Sequence, residues 1–153
     1  MSKAKRKTAA DHVAAGRGFF RWHDSGDLQS LAHFRRICEV ARRSPSVRHW
    51  LPTREVGILA RYDRRVSAGL DLPVPVNLIV RVSAFMVGMR PPKAMSAAAR
   101  AGRPVGRPLW SLTSTVDWDG SSFRCPAYTQ GGECRECRAC WDPNVSNVDY
   151  LKH

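Results

Sequence analysis

The sequence has no apolar run long enough to cross a membrane. Its longest apolar stretch, residues 74–87, is interrupted by Asn77, Arg81 and Ser83 and falls well short of the roughly 20 apolar residues of a spanning helix. The basic residues 1–7 lead into polar residues, without the apolar centre of a secretory signal. These absences predict a cytoplasmic protein that makes no membrane contact.

The sequence signatures of several common active sites are also missing. The chain contains no phosphate-binding glycine loop, no zinc-protease helix and no serine nucleophile elbow. No reaction class follows from the sequence, and whether the protein is an enzyme stays open.

Carboxylates are scarce, since 13 Asp and Glu stand against 25 Lys and Arg for a formal net charge of +12. Two segments poor in large apolar residues carry most of this excess: Lys3, Lys5, Arg6 and Lys7, then Arg90, Lys93, Arg100, Arg103 and Arg107. We expect a flexible basic tail at residues 1–16 and a mobile basic loop at about residues 86–108. Such arms can attract nucleic-acid phosphates without sequence specificity or can serve solubility alone.

The apolar pattern alternates short strands with two helices. Strands are predicted at residues 19–23, 47–51 and 78–82, and a further strand within residues 109–116. Apolar residues at helical spacing predict the two helices: Leu31, Phe34, Ile37, Cys38 and Ala41, then Val56, Leu59, Tyr62 and Val66. Asp27 and Thr53 suit their N-caps, and Gly69 suits the end of the second helix. This βαβαβ order predicts an α/β domain over residues 17–118, with a small, mostly parallel sheet that is open or forms part of a barrel.

Four of the five cysteines lie close together near the C-terminus, in the pattern Cys125-x8-Cys134-x2-Cys137-x2-Cys140. In a reducing compartment this spacing indicates metal ligands before disulfides. Four thiolates suit either Zn²⁺ or a [4Fe–4S] cluster, and the sequence does not choose between them. We therefore expect residues 119–153 to form an irregular, Cys-rich metal-binding segment, the alternative being a redox-sensitive thiol cluster. Cys38, on the first helix, is expected to be a small buried apolar residue.

Polar side chains follow or end the predicted strands. His23, Asp24 and Asp27 follow the first strand, Arg54 follows the second and Arg81 lies in the third. Because the carboxyl ends of parallel strands share one edge, these side chains could meet there and bind a small anionic ligand or assist acid–base chemistry. In the alternative interpretation they are helix caps and structural ion pairs.

Four strings resemble the phage "gene product 88" domain family: residues 20–30 (FRWHDSGDLQS), residues 49–55 (HWLPTRE), residues 81–84 (RVSA), and Cys125-Pro126 with residues 134–141 (CRECRACW). The resemblance runs from residue 19 to the C-terminus and implies a phage protein in the cytoplasm of a bacterial host, without implying an activity. Longer members carry a further cysteine-containing segment, so that this chain would be a trimmed, inactive form if that segment completes an active site.

Two alternatives to a metal-binding phage protein remain at this stage. The first is a nucleic-acid-binding accessory protein that uses the basic arms. The second is an iron–sulfur or nucleotide-directed enzyme remnant, because the half-barrel rhythm with a Cys-rich segment looks like radical-SAM enzymes, although their Cys-x3-Cys-x2-Cys string is missing.

Overall fold

The computed structural model describes residues 18–23, 25–91, 112–120 and 122–152. Its strands are β1 (Phe19–Arg21), β2 (Arg48–Thr53), β3 (Leu78–Ser83), β4 (Thr113–Val116), β5 (Phe123–Arg124) and β6 (Asn147–Tyr150). Its α-helices are α1 (Leu31–Arg43) and α2 (Val56–Ser67), and 3-10 helices span Pro126–Gln130 and Ala139–Trp141. The predicted basic tail, most of the predicted basic loop and Asp24 lie outside these residues.

The strands form one sheet in the order β1-β2-β3-β4-β6-β5, and every strand pair is parallel. The prediction of a mostly parallel α/β sheet is confirmed. Helices α1 and α2 provide the long crossovers that parallel neighbours need. The sheet curls like half of a barrel and has β1 and β5 at its edges.

The cysteine-bearing part of the chain adds two strands to this sheet, with β6 between β4 and β5. The prediction of a wholly irregular segment after the sheet was therefore wrong. Val148 is fully buried, but its neighbours in β6 are the polar Asn147 and Asp149. These two bond to Thr115 of β4, with Asn147 Nδ2 donating over 2.9 Å and Thr115 Oγ1 donating to Asp149 over 2.6 Å. A buried polar ladder of this kind conceals a strand from a search for apolar runs.

Both predicted N-caps were wrong. Helix α1 is capped by Ser30, whose Oγ accepts the His33 N–H over 3.0 Å. Helix α2 has Glu55 at the N-cap without a side-chain bond, and Thr53 Oγ1 instead accepts the Glu55 N–H over 3.1 Å. Asp27 bonds to the end of β2, as described below, so that its oxygens are not available to α1.

The end of α2 follows the prediction. Gly69 has φ +71°, which L side chains rarely adopt. Its N–H donates to the Val66 carbonyl over 3.0 Å, and the Leu70 N–H donates to the Arg65 carbonyl over 2.8 Å. These two bonds form a Schellman motif, which satisfies carbonyls of the last turn.

The two faces of the sheet are covered by different parts of the chain. Helices α1 and α2 pack on one face around Phe34, Leu51, Leu59, Tyr62 and Val82. Cys38 lies in this core, fully buried as predicted, and burial raises the pKa of its thiol to about 11. The other face is covered by the segment around Ala139, Cys140 and Trp141, which packs on Trp50 and Val148. No helix in the described residues is long and apolar enough to cross a membrane.

Candidate metal centre

The four clustered cysteines line one small pocket against the second face of the sheet. Cys125 directly follows β5, Cys134 and Cys137 lie in the loop between the 3-10 helices, and Cys140 lies in the second of them. Cys134 is exposed, whereas Cys140 is buried. The pocket has about 10 Å³ that the centre of a water molecule can enter, within about 250 Å³ of empty space, so that it has room for about one water.

The loop that carries the middle cysteines is tightly turned. Gly131 and Gly132 have φ of +70° and +80°, and the Gly132 N–H donates to the Ala127 carbonyl over 2.8 Å. The Cys137 N–H donates to the Cys134 carbonyl over 2.8 Å. The two glycines supply left-handed backbone that other residues adopt only with strain.

Arg81 fixes the backbone around Cys140 from inside the protein. Its side chain extends from β3 and is fully buried. Nε donates to the Cys140 carbonyl over 3.0 Å, and the terminal nitrogens donate to the carbonyls of Ala139 (2.9 Å), Asp142 (2.9 Å), Val145 (2.8 Å) and Thr113 (3.4 Å). All five N–H donors of the guanidinium group are thus directed at main-chain oxygens.

Trp141 attaches the same segment to the first two strands. Its Nε1 donates to the Phe20 carbonyl over 3.1 Å. Its ring meets Phe19 and Trp50 edge-on, at centroid distances of 5.5 and 5.3 Å. The position of Cys140 is therefore set by contacts on both of its sides.

Burial raises the pKa of two of the four clustered thiols. Burial raises the pKa of Cys140 to about 11, and the Tyr150 hydroxyl lies 3.0 Å from its sulfur. Burial of the sulfur also raises the pKa of Cys134, and neighbouring Cys125 and Cys137 raise it further. The mutual effect of these thiols is an electrostatic sign that their sulfurs lie near one another.

The arginines whose charge acts on the pocket thiols come from distant parts of the chain. The charge of Arg138 lowers the pKa of Cys134, as does that of Arg21, and Arg81 acts in the same direction on Cys140. Arg124, next to Cys125 in sequence, instead lies 3.1 Å from Asp149. Sequence reasoning missed Arg21 and the structural use of Arg81. For Arg81 the sequence did offer a signal, because it is a single arginine within the otherwise apolar strand predicted at residues 78–82.

Four sulfurs are a donor set that fits zinc or an iron–sulfur cluster. As placed, however, no group of three or more His, Cys, Asp or Glu side chains among the described residues has the geometry to hold a metal ion. Sulfurs around one zinc ion lie about 3.8 Å apart, given Zn–S bonds of about 2.3 Å. The residues therefore fit a metal in number, kind and common pocket, and binding requires the sulfurs to shift from their present positions.

A larger groove of about 700 Å³ adjoins this pocket. The two share Phe123, Pro126, Cys137 and Ala139 in their linings. Arg48 and Arg138 line the groove, and the Arg138 guanidinium carbon lies 4.8 Å from the centre of the Phe19 ring. Cys137 is the cysteine through which this groove reaches the pocket.

Of the predicted strand-end residues, Asp27 and Arg54 are brought together. Asp27 Oδ2 accepts the Arg54 N–H over 2.7 Å, while Oδ1 accepts the Leu28 N–H over 2.7 Å and the Thr53 hydroxyl. These bonds connect the loop after β1 to the end of β2. Arg81, by contrast, has the separate set of main-chain partners given above.

His23 lies in the same loop as Asp27, and its ring centre is 5.4 Å from that of His33. Burial lowers the pKa of His23, the His33 charge lowers it further, and Asp27 opposes both effects. Asp24 lies outside the described residues. A catalytic or ligand-binding use of His23, Asp24, Asp27, Arg54 and Arg81 stays a prediction.

Comparison with known proteins gives one informative result. A family profile described as Gene product 88 matches residues 2–143, which confirms the resemblance carried by the four strings. Comparison with curated proteins and with solved structures gives no match.

Proposed function

This chain belongs to the Gene product 88 family, and from that premise we propose that it is a phage protein that holds one metal centre through Cys125, Cys134, Cys137 and Cys140. The metal crosslinks β5, the loop between the 3-10 helices and the segment before β6. Such a centre contributes folding free energy directly, because its ligands are dispersed in the unfolded chain.

The buried charge of Arg81 is the observation that carries this proposal. A guanidinium stays protonated in proteins, and a buried cation is costly unless negative charge lies nearby. Arg81 is fully buried, and its donors are directed at main-chain carbonyls. The charge of the Asp142 carboxylate acts on Arg81 from nearby, but the two form no ion pair among the described residues. Metal binding deprotonates cysteines, and four thiolates around one divalent ion carry a net charge of about −2, which would offset much of the positive charge of Arg81, Arg138 and Arg21.

Zinc is the leading metal in this proposal. The pocket admits about one water-sized body, and a closed set of four cysteines is typical of structural zinc sites. The role of the centre is then to hold the cysteine segment against the sheet.

A [4Fe–4S] cluster is the second candidate. The adjoining groove gives one ligand, Cys137, a route to solvent, as a centre that exchanges electrons or contacts a small molecule would need. The consecutive x2 spacing of three cysteines is also used by iron–sulfur proteins. A cluster requires a larger opening of the pocket than zinc does.

The test is purification of the full chain without oxygen, followed by elemental analysis and an absorption spectrum. The proposal expects either about one zinc per chain in a colourless protein or four irons with a broad band near ~400 nm. Refolding in a chelator, with metals then supplied one at a time, is the control for metal lost during purification. A chain that reaches its full thermal stability without any metal contradicts the proposal.

A further inference from the structure

The helical layer, on the sheet face opposite the cysteines, carries a concentrated positive charge. Seven arginines lie on α1 and α2, namely Arg35, Arg36, Arg42, Arg43, Arg61, Arg64 and Arg65. The carboxylates on these helices and on the turn after α2 are Glu39, Asp63 and Asp71. This excess is separate from the predicted basic arms at residues 1–16 and 86–108.

A groove runs along the surface where α1 and α2 meet. It consists of two adjoining depressions of about 480 and 340 Å³, which share Leu31, Arg61 and Arg65. Arg35 lines the first and Arg64 the second, and no carboxylate lines either of them. The charged part of the lining is therefore made of arginines alone.

One carboxylate behind the groove holds two of these arginines side by side. Asp71 accepts from Arg35 Nε over 2.9 Å through one oxygen and from Arg65 Nε over 2.6 Å through the other. The Arg65 hydrogen bond holds the pKa of Asp71 below its usual range, with smaller effects from Arg35. Because each arginine is engaged through Nε, its two terminal nitrogens stay available as donors.

Arg61 and Arg64 are exposed on α2, and their side chains have no hydrogen bond or ion pair with any described residue. By contrast, Arg43 on α1 pairs with Glu39 over 2.7 Å. The groove thus combines two oriented guanidiniums with two that are free to follow a ligand, against the single charge of Asp71.

We propose that this arginine groove binds the phosphodiester backbone of a nucleic acid, without reading its bases. Guanidinium groups bind phosphates through paired donors, and a row of them matches a ligand with regularly repeated phosphates. Apart from Gln29, the uncharged residues that line the groove are short or aliphatic, so little sequence specificity is expected. A shallow, elongated groove fits a polyanion better than it fits a small enclosed anion.

The test measures binding of the full chain to a labelled ~20-base-pair DNA duplex by fluorescence anisotropy, at salt concentrations from about 50 to 200 mM. Arg61→Gln with Arg64→Gln removes two phosphate contacts, and the slope of log affinity against log salt should shrink by about 1.8. Arg36→Gln with Arg43→Gln is the matched control. It removes the same charge from the same layer outside the groove lining, and it should leave most of the slope in place.

Several outcomes would overturn this inference. In one, the two variants lose affinity equally, so that net charge alone attracts DNA. In another, the variant with Arg61→Gln and Arg64→Gln keeps the full salt slope, which means that residues outside the groove bind the DNA. Binding of vesicles that contain phosphatidylserine, or of inorganic phosphate, in the absence of DNA binding also contradicts it. Single-stranded DNA and RNA of equal length serve as further probes, and their relative affinities show which kind of nucleic-acid backbone the groove prefers. Circular dichroism verifies that each variant is folded.

Discussion

The guanidinium of Arg81 donates from Nε to the carbonyl oxygen of Cys140 over 3.0 Å, across 59 positions of sequence. This bond joins the centre of β3 to the second 3-10 helix. It makes the position of a candidate metal ligand depend on a buried cation in the sheet. The same arginine holds the main chain on both sides of Cys140, so that the pocket and the sheet are expected to fold together.

Substitution of Arg81 should destabilise the protein strongly. Arg81→Met removes the charge and leaves the carbonyls of Ala139, Cys140 and Asp142 without their donor, at a cost of about 3–5 kcal/mol. Arg81→Lys should recover only a minor part of this, because one ammonium group cannot reach the same set of oxygens. Urea denaturation measures the change, and Arg36→Met, at an exposed position, is the control. A change within about 0.5 kcal/mol for Arg81→Met would show that the buried bonds contribute little.

Loss of one cysteine ligand should lower metal content and stability together. Cys137→Ser is expected to weaken metal binding by about tenfold or more, because a hydroxyl is a poor ligand for a soft site. Cys38→Ala is the matched control, since that thiol is buried in the other core. The control should lower the melting temperature while metal content stays unchanged. Equal metal content in both variants would mean that Cys137 is not a ligand.

Asp27 should prove to be a structural residue. Asp27→Ala removes the acceptor for the Thr53 hydroxyl and for two N–H groups, of Leu28 and Arg54. We expect a loss of about 1–3 kcal/mol in the free energy of unfolding. The exposed Asp119 offers a control, and Asp119→Ala should change stability by less than about 0.5 kcal/mol. If Asp27→Ala keeps full stability but loses binding of an anionic ligand, the carboxylate belongs to a ligand site instead.

Stability should fall in mildly acidic solution because of His49. The residue is 3% exposed, its ring stacks on Trp22, and burial lowers its pKa. In the unfolded chain the imidazole of His49 therefore binds a proton near pH 6.5, whereas in the folded chain it binds one only at lower pH. The free energy of unfolding therefore decreases as the pH falls below about 6.5. His23 has a lowered pKa as well and adds to the same trend.

Urea denaturation between about pH 7.5 and 5 measures this effect. In His49→Gln the slope of stability against pH should be smaller than in the parent, whatever the absolute stability of the variant. A slope that is identical in the parent and in His49→Gln would assign the acid sensitivity to other groups.

The sequence predicted the part of the fold that rests on local apolar patterns. The stripes through Phe34 and Leu59 correctly placed both helices, and the apolar run at residues 78–82 correctly placed β3. Strand β6 was missed because its buried Asn147 and Asp149 read as polar surface. Their partners lie 32 and 34 positions away in β4, so that nothing local in the sequence reveals that they are satisfied.

At the candidate centre, too, the features that depend on local sequence were predicted and those that depend on distant partners were not. Cysteine spacing predicted which residues share a pocket, because ligand spacing is a local property. The role of Arg81 could not be predicted, because its partners at residues 139–145 are close only after folding. An arginine at a strand end and an arginine beneath the cysteine-bearing segment look alike in the sequence. The same limit applies to Asp27, whose cap-like position concealed bonds to β2.

The most direct test of the proposed metal centre is X-ray absorption at the edge of the metal that copurifies with the full chain. The account predicts a first coordination shell of sulfur only, with four sulfurs at about 2.3 Å if the metal is zinc. A shell of oxygen or nitrogen atoms, or a metal held by fewer than four sulfurs in the zinc form, would contradict it.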